Sequence, residues 1–280
     1  MPERQLRFFR RPQPLVERLG AQFFREVPRG PGVYLMRDAK QRLLYVGKSG
    51  NLRQRLGTYR CLTERTSRKT VRLLHAVENI SWELCASEPA ACLRENKLLR
   101  QHRPRFNRVN TYPQAYPYVE LSGQSGGFAL RLTLVATEHS FGAFKCNVRA
   151  ALAACFRLLW ARFHAADDYA ALPRAMLLAR PPREWNFAAN GFWFTALQDF
   201  MGGNADSLLR ELENNSSPDS PEFYRQFRQS DIEMLTRFYA RGPQRNRKIL
   251  DSMNANAAAT CIAQEQLDDL FVVARSMNGN

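Results

Sequence analysis

Among the acidic side chains of this chain, Glu95 stands where its spacing makes it costly. Over the segment Glu88 to Gln101, steps of 100° place Ala91, Cys92, Leu98 and Leu99 on one arc, and Glu95 falls inside that arc. A carboxylate on an inward-facing stripe is unfavourable unless a cation or several donors meet it. Either one of the many arginines pairs with it, or it belongs to a site built around a cation. Lys48, Arg53 and Arg55, with the tyrosines Tyr34, Tyr45 and Tyr59, come from preceding elements that can converge on it. Aromatic residues also serve strands as plain packing, so no one tyrosine marks a site.

The elements that must position these groups are legible in short-range pattern. Gly32 to Arg37 and Arg42 to Val46 are runs rich in Val, Leu and Tyr joined by the polar Asp38-Ala39-Lys40-Gln41, which predicts a hairpin. Asn51 is placed to cap a helix running to about Tyr59, with Leu52, Leu56 and Tyr59 at helical spacing. A second helix is predicted from Arg68 to Val77 and a third strand from Ile80 to Ala86. Ser87, with Pro89 in the first turn, then opens the helix that carries Glu95. The fold class is therefore α/β (α+β), a small, mainly antiparallel sheet flanked by helices. Strand signals return at Tyr118 to Leu121 and Phe128 to Ala136, around a turn at Gly123 to Gly127. Beyond Gly142 the pattern is largely helical: Cys146–Arg162, Phe192–Met201, Asp206–Glu213, Ser220–Phe238 and Gln264–Met277, with breaks at Pro181-Pro182 and Asn214 to Pro218.

Charge is distributed unevenly. The formal net charge is +15, and residues 1–110 hold 24 Lys+Arg against 9 Asp+Glu, whereas residues 111–280 hold 17 of each. A globular segment with such an excess repels itself unless anions compensate, which is the footprint of nucleic-acid binding; a solubilising basic face is the blander possibility. With 45% hydrophobic and 11% aromatic residues the chain is not a disordered polycation. Its six cysteines lack close pairing of the CxxC kind and its four histidines form no ligand spacing with them, so the thiols read as buried groups in a reducing compartment. The arginine-rich first 30 residues lack the apolar core of a signal peptide, and no apolar run reaches the roughly 18 residues a membrane span needs. A soluble, cytoplasmic protein with no membrane partner is expected.

In order along the chain, Gly32-Val33-Tyr34, Tyr45-Val46-Gly47-Lys48, Asn51-Leu52 followed by Arg55-Leu56 and Tyr59, a helix with an embedded Glu95, and Pro104-Arg105-Phe106-Asn107 resemble the GIY-YIG nuclease family. Within it the resemblance is to the N-terminal half of the UvrC excinucleases and their shortened homologues, over about residues 27–110. It implies that Tyr34 and Tyr45 lie on adjacent strands and that Glu95 is the only carboxylate ligand of one Mg²⁺ or Mn²⁺, whose oxygen shell is completed by water and phosphate. Arg55 would neutralise the scissile phosphate, Lys48 would lie near the attacking water or Tyr45, and Asn107 would orient its neighbours. Tyr45 would be the general base, with Tyr34 and Tyr59 positioning water and phosphate. A phenol with a pKa near 10 must lose about 3 units to ionise at neutral pH, about 4 kcal/mol, so the metal and Lys48 would have to lower it. Arg53, Arg60, Arg65, Arg68 and Lys69 are expected to contact the DNA backbone.

The same resemblance divides the chain into a basic N-terminal extension (1–26), a nuclease domain (27–110) and a mostly helical, UvrC-like region (111–280). It continues through Tyr112 to Ser122, Phe141-Gly142-Ala143-Phe144 and Leu197 to Leu212. Longer family members place a cysteine cluster for iron and sulfur between these; Ala170 to Phe187 holds no cysteine, which argues against an iron–sulfur cluster. The family's RNase H-like nuclease domain and helix-hairpin-helix modules find no counterpart. One site implies one incision, on the 3′ side of a lesion in damaged duplex DNA, with the UvrA and UvrB damage-recognition and loading subunits as partners. Arg241, Arg245, Arg247 and Lys248 read as a further DNA contact, a docking site or a solvated basic turn. The alternatives are a structure-selective or mobile-element GIY-YIG endonuclease outside repair and a non-cutting nucleic-acid-binding accessory; the intact set of site residues argues against the latter.

Overall fold

Strand β1 (Gly32–Arg37) is buried along almost its whole length because it is the middle strand of three. It pairs antiparallel with β2 (Leu43–Ser49), Tyr34 opposite Gly47 and Met36 opposite Tyr45, and on its other edge with β3 (Asn79–Leu84), Tyr34 opposite Trp82. The structure is a computed structural model that describes residues 12–166, 168–178, 182–189, 191–214, 220–253 and 259–277. Residues 1–11 of the basic extension and most of the expected breaks, at 181 and at 215–218, lie outside the described residues. The chain divides into two compact units, one of residues up to Pro113 with a short piece from Arg275, the other Gln114–Ala274.

In the first unit the period of two along β1 feeds two cores. Tyr34 and Met36 pack with helices α1 (Pro14–Glu26), α2 (Leu52–Gly57) and α3 (Arg68–Ala76). Val33 and Leu35 pack with Val46 and with Ala91, Leu98 and Leu99 of α4 (Glu88–His102). Side chains of Asn51, Ser67 and Ser87 accept from backbone N–H groups at the starts of α2, α3 and α4, satisfying donors that the helices cannot. Gly32 is required by packing: a Cβ there would meet the Glu83 carbonyl oxygen at 2.2 Å.

Within the basic extension, residues 14–26 form helix α1. It buries Leu15 and Phe24, and the Arg18 guanidinium donates to the carbonyls of Leu74 (3.2 Å) and Val77 and pairs with Glu78 at 3.2 Å. Leu15, Leu19 and Phe23 recur at four-residue spacing; the density of arginines obscured that stripe.

The second unit holds an antiparallel sheet of β4 (Tyr118–Gln124), β5 (Gly127–Thr133), β6 (Ser140–Phe141) and β7 (Glu184–Ala188) in the order β6-β4-β5-β7. Strand β7, paired with β5 from Gly127 to Arg131, was not predicted, because five residues just after Pro181-Pro182 carry too little alternation. Val119, Leu121, Phe128 and Leu130 form a core with Leu152, Cys155, Phe156 and Leu159 of α5 (Val148–Phe163). Helices α6 (Gly191–Gly202), α7 (Ser207–Glu213), α8 (Glu222–Arg241), α9 (Pro243–Ser252) and α10 (Gln264–Met277) follow.

The basic stretch near Gly242-Pro243 is neither a loop nor uniformly solvated, since α9 starts there. Arg245 lies 3.9 Å over the Phe271 ring with Nε and Nη2 buried and unbonded, and Arg247 pairs with Asp251 at 2.7 Å. Arg241 and Lys248 are exposed. Of the six thiols, none in a disulfide, only Cys155 is fully buried, and burial pushes it up to about 12. No helix among the described residues is long and apolar enough to cross a membrane.

Candidate active site

Three phenols and one guanidinium meet on the α2 side of β1. The Tyr34 hydroxyl shares a hydrogen bond of 3.0 Å with the Tyr59 hydroxyl and accepts one of 3.2 Å from Arg55 Nε. Arg55 also lies 5.2 Å over the Tyr59 ring, and the Tyr45 ring centroid is 6.0 Å from that of Tyr34. Local sequence explains the convergence. Tyr34 and Tyr45 have the same parity across the hairpin, Arg55 lies in the last turn of α2, and Tyr59 follows in the turn just past the helix end. Gly47 is the cross-strand partner over which the Tyr34 ring lies: a Cβ at 47 would sit 2.4 Å from the phenol oxygen.

Burial dominates the electrostatics here. It pushes the Tyr34 phenol above its ordinary value, and the neighbouring phenols Tyr59 and Tyr45 add to that. Burial likewise raises Tyr45, Tyr59 adding and Arg55 opposing. The metal-free chain thus holds both phenols protonated. Glu95 is half-buried on α4, and burial raises its carboxyl against the opposing pull of Lys48, of a hydrogen bond from the Lys48 backbone N–H, and of Arg55. Glu95 makes no direct ion pair among the described residues, so the arginine salt bridge that its position allowed is not formed.

Lys48 and Asn107 act differently from each other. The Lys48 ammonium is turned to Glu88, Nζ to Oε1 2.9 Å, and not to Tyr45; that contact raises its pKa and lowers that of Glu88. Asn107 uses its whole amide, Oδ1 accepting from Val46 N (3.0 Å) and Nδ2 donating to Val46 O (2.8 Å), which extends the edge of β2 beside Tyr45 and Gly47. Phe106 N donates to Leu44 O on the same edge.

The five basic residues expected on the DNA backbone are not equivalent. Arg53 Nε donates to Val27 O at 2.6 Å, which ties α2 to the end of α1 and removes that donor from any ligand. Arg60 lies 5.7 Å over the Phe24 ring, while Arg65, Arg68 and Lys69 are exposed around the start of α3. Glu88 is the residue that pattern reading passed over. Its one sequence signal is a carboxylate in the first helical turn, which helix electrostatics alone explain.

A lone, desolvated carboxylate without an ion-pair partner, within electrostatic reach of a guanidinium and of a cluster of tilted phenols, suits one hard cation and a phosphodiester. Glu95 has lone pairs to offer a divalent ion, and the outer face of Arg55 is exposed while its Nε is fixed on Tyr34. No cluster of three or more His, Cys, Asp or Glu that could hold a metal occurs among the described residues, so any cation here would draw most of its shell from water and substrate.

Residues 30–108 match the family described as UvrC-like GIY-YIG domain. UvrABC system protein C of Trichlorobacter lovleyi is 49% identical over 84 residues, covering 30% of this chain and 14% of that protein. UvrABC system protein C of Salinispora arenicola is 28% identical over 219 residues, 70% of this chain and 32% of that one. The latter alignment is longer than the first unit, so the likeness enters the second. The chain spans between about a seventh and a third of these relatives' lengths. A solved structure of the GIY-YIG N-terminal endonuclease domain of UvrC from Thermotoga maritima, bound to its catalytic divalent cation magnesium, is 25% identical, covers 31% of this chain and 93% of that domain, with a TM-score of 0.28.

Proposed function

We propose, from the premise that residues 30–108 form a UvrC-like GIY-YIG domain, that the chain is a divalent-metal-dependent DNA endonuclease. Its reaction is a single incision on the 3′ side of a lesion in nucleotide excision repair, after loading by UvrA- and UvrB-type subunits. One observation carries this reading: the unpaired, desolvated Glu95 carboxylate lies within electrostatic reach of Arg55 and Tyr45, whose neighbours Tyr34 and Tyr59 complete the cluster. The likeness to UvrC relatives that runs past the first unit favours repair over a mobile-element nuclease.

Glu95 would hold Mg²⁺ or Mn²⁺, which when bound withdraws charge from a phosphate oxygen and acidifies water. The chain's own groups do the rest. Arg55, anchored through Nε on Tyr34, presents its remaining N–H groups to the scissile phosphate as negative charge grows there. Tyr34, the more deeply buried phenol, keeps its proton and orients by donating it. Tyr45 is the proton acceptor. Arg55 opposes the burial that raises the phenol's pKa, and a cation held by Glu95 would supply further lowering. Lys48, tied to Glu88, does not supply it. Asn107 positions Tyr45 by fixing the backbone of Val46.

The test is an end-labelled duplex with one bulky lesion, incubated with the chain or its Glu95→Ala variant in Mg²⁺ or Mn²⁺, with and without the loading subunits. A single cut 3′ to the lesion that needs Glu95 and those subunits is expected. Cutting irrespective of the lesion would move the chain to nucleases outside repair, and no cutting under any condition would leave a binding accessory.

A further inference from the structure

Lys48 lies on the side of β2 that packs on α4, two residues from Val46, which touches Ala91, Leu98 and Leu99 there, and its ammonium reaches Glu88 at the start of that helix at 2.9 Å. Residues 88, 92 and 95 follow at spacings of four and three, so they share one face of α4. The two positions are thereby about 10 Å apart along the helix. Lys48 acts electrostatically on Glu95 while bonded to Glu88, and its flexible four-carbon side chain can turn to either. Gly50 leaves room for the observed choice, since a Cβ there would lie 3.3 Å from Glu88 Oε2.

As a stabilising contact the Lys48–Glu88 pair is poor. The side chains are 34% and 60% exposed, and ion pairs in that setting contribute little. Its consequence for Glu95 is larger. A cation site with a single protein carboxylate is weakened when a lysine turns to that carboxylate, and among the described residues Lys48 attracts Glu95 more strongly than Arg55 does.

We propose that Glu88 is a latch that keeps the Lys48 ammonium off Glu95, leaving that carboxylate open to a divalent cation. Glu88 is a positioning residue acting through Lys48, and the inference rests on the nuclease reading above. Without Glu88 the ammonium swings to the remaining carboxylate on the same face and competes with the metal.

Mn²⁺ binding to the full chain, followed without DNA by the paramagnetic signal of the free ion, tests this in wild type, Glu88→Gln, Lys48→Met and the double variant, with Glu95→Gln as control. Glu88→Gln should weaken Mn²⁺ binding about five-fold, the factor that an exposed ion pair supports. That loss should vanish in the Lys48→Met background, and the melting temperature should not move. Unchanged affinity in Glu88→Gln overturns the latch. So does an equal loss with and without Lys48, which would make Glu88 a remote negative charge only. Absence of Glu95-dependent Mn²⁺ binding in wild type overturns the nuclease reading and the latch together, whereas wild-type binding with an uncoupled pair removes the latch alone.

Discussion

The two units treat their inward-facing carboxylates in opposite ways. In the second unit Asp231 receives a two-pronged arginine, Arg157 Nε at 2.8 Å and Nη2 at 2.5 Å, and Asp268 receives Lys145 Nζ at 2.6 Å together with the Tyr116 hydroxyl. In the first unit Glu95 has a backbone N–H and two cations at longer range, and burial leaves its carboxyl raised. Asp231 and Asp268 are finished pairs, the first joining α8 to α5 and the second tying α10 to the segments that hold Tyr116 and Lys145. Glu95 is left incomplete in a segment that carries all of the chain's net positive charge, and an incomplete desolvated charge is where a ligand gains most.

The sharpest break between the two classes should come from truncation. Glu95→Ala is expected to lower single-turnover cleavage by about 10³-fold, about 4 kcal/mol, with the melting temperature kept; retained cleavage would remove Glu95 from the chemistry. Asp231→Ala should do the converse, costing about 3 kcal/mol of stability by stranding Arg157, measured by denaturant unfolding. A harmless Asp231→Ala would erase the contrast.

Tyr45→Phe should reduce cleavage about 10²-fold, the usual worth of a positioned proton acceptor, while DNA affinity stays as it was. If the variant cuts normally, the acceptor is another group. Acidity sharpens the Glu95 side of the comparison. Its folded pKa lies above the 4.5 of the unfolded chain, so the protonated form carries the stability, present below 4.5 and lost as pH rises through the raised value. The stability gained by Glu95→Gln over wild type should therefore be smallest in acid and grow toward neutrality. A pH-independent difference in melting temperature would contradict this. The smallest effect belongs to the exposed cations: Arg65→Ala should weaken DNA binding only a few-fold and reduce the salt slope by about one, and an unchanged slope would place Arg65 off the DNA path.

Much of the first unit was legible in advance because its signals are local. Two runs rich in Val, Leu and Tyr joined by the polar Asp38 to Gln41 specified the β1–β2 hairpin and so put Tyr34 and Tyr45 on adjacent strands, and Asn51 and Ser87 marked the starts of α2 and α4. The spacing on α4 singled out Glu95 through nothing more than helical geometry. What lay beyond the reading had weak or distant signals. Helix α1 was hidden among arginines, β7 was too short to alternate visibly, and the basic stretch after Arg237 proved to be the junction of two helices with Arg245 turned inward.

By itself, then, the sequence determined periodicities, caps and the uneven charge, which depend on residues a few positions apart. The tertiary structure alone decided which long, flexible cation meets which acceptor. Lys48 goes to Glu88, 40 positions away, rather than to Tyr45, and Arg53 goes to Val27 O, 26 positions away, rather than to a phosphate. Lysine and arginine side chains reach several ångströms in many rotamers, so their partners follow from how strands and helices are juxtaposed in space and are not encoded in spacing along the chain.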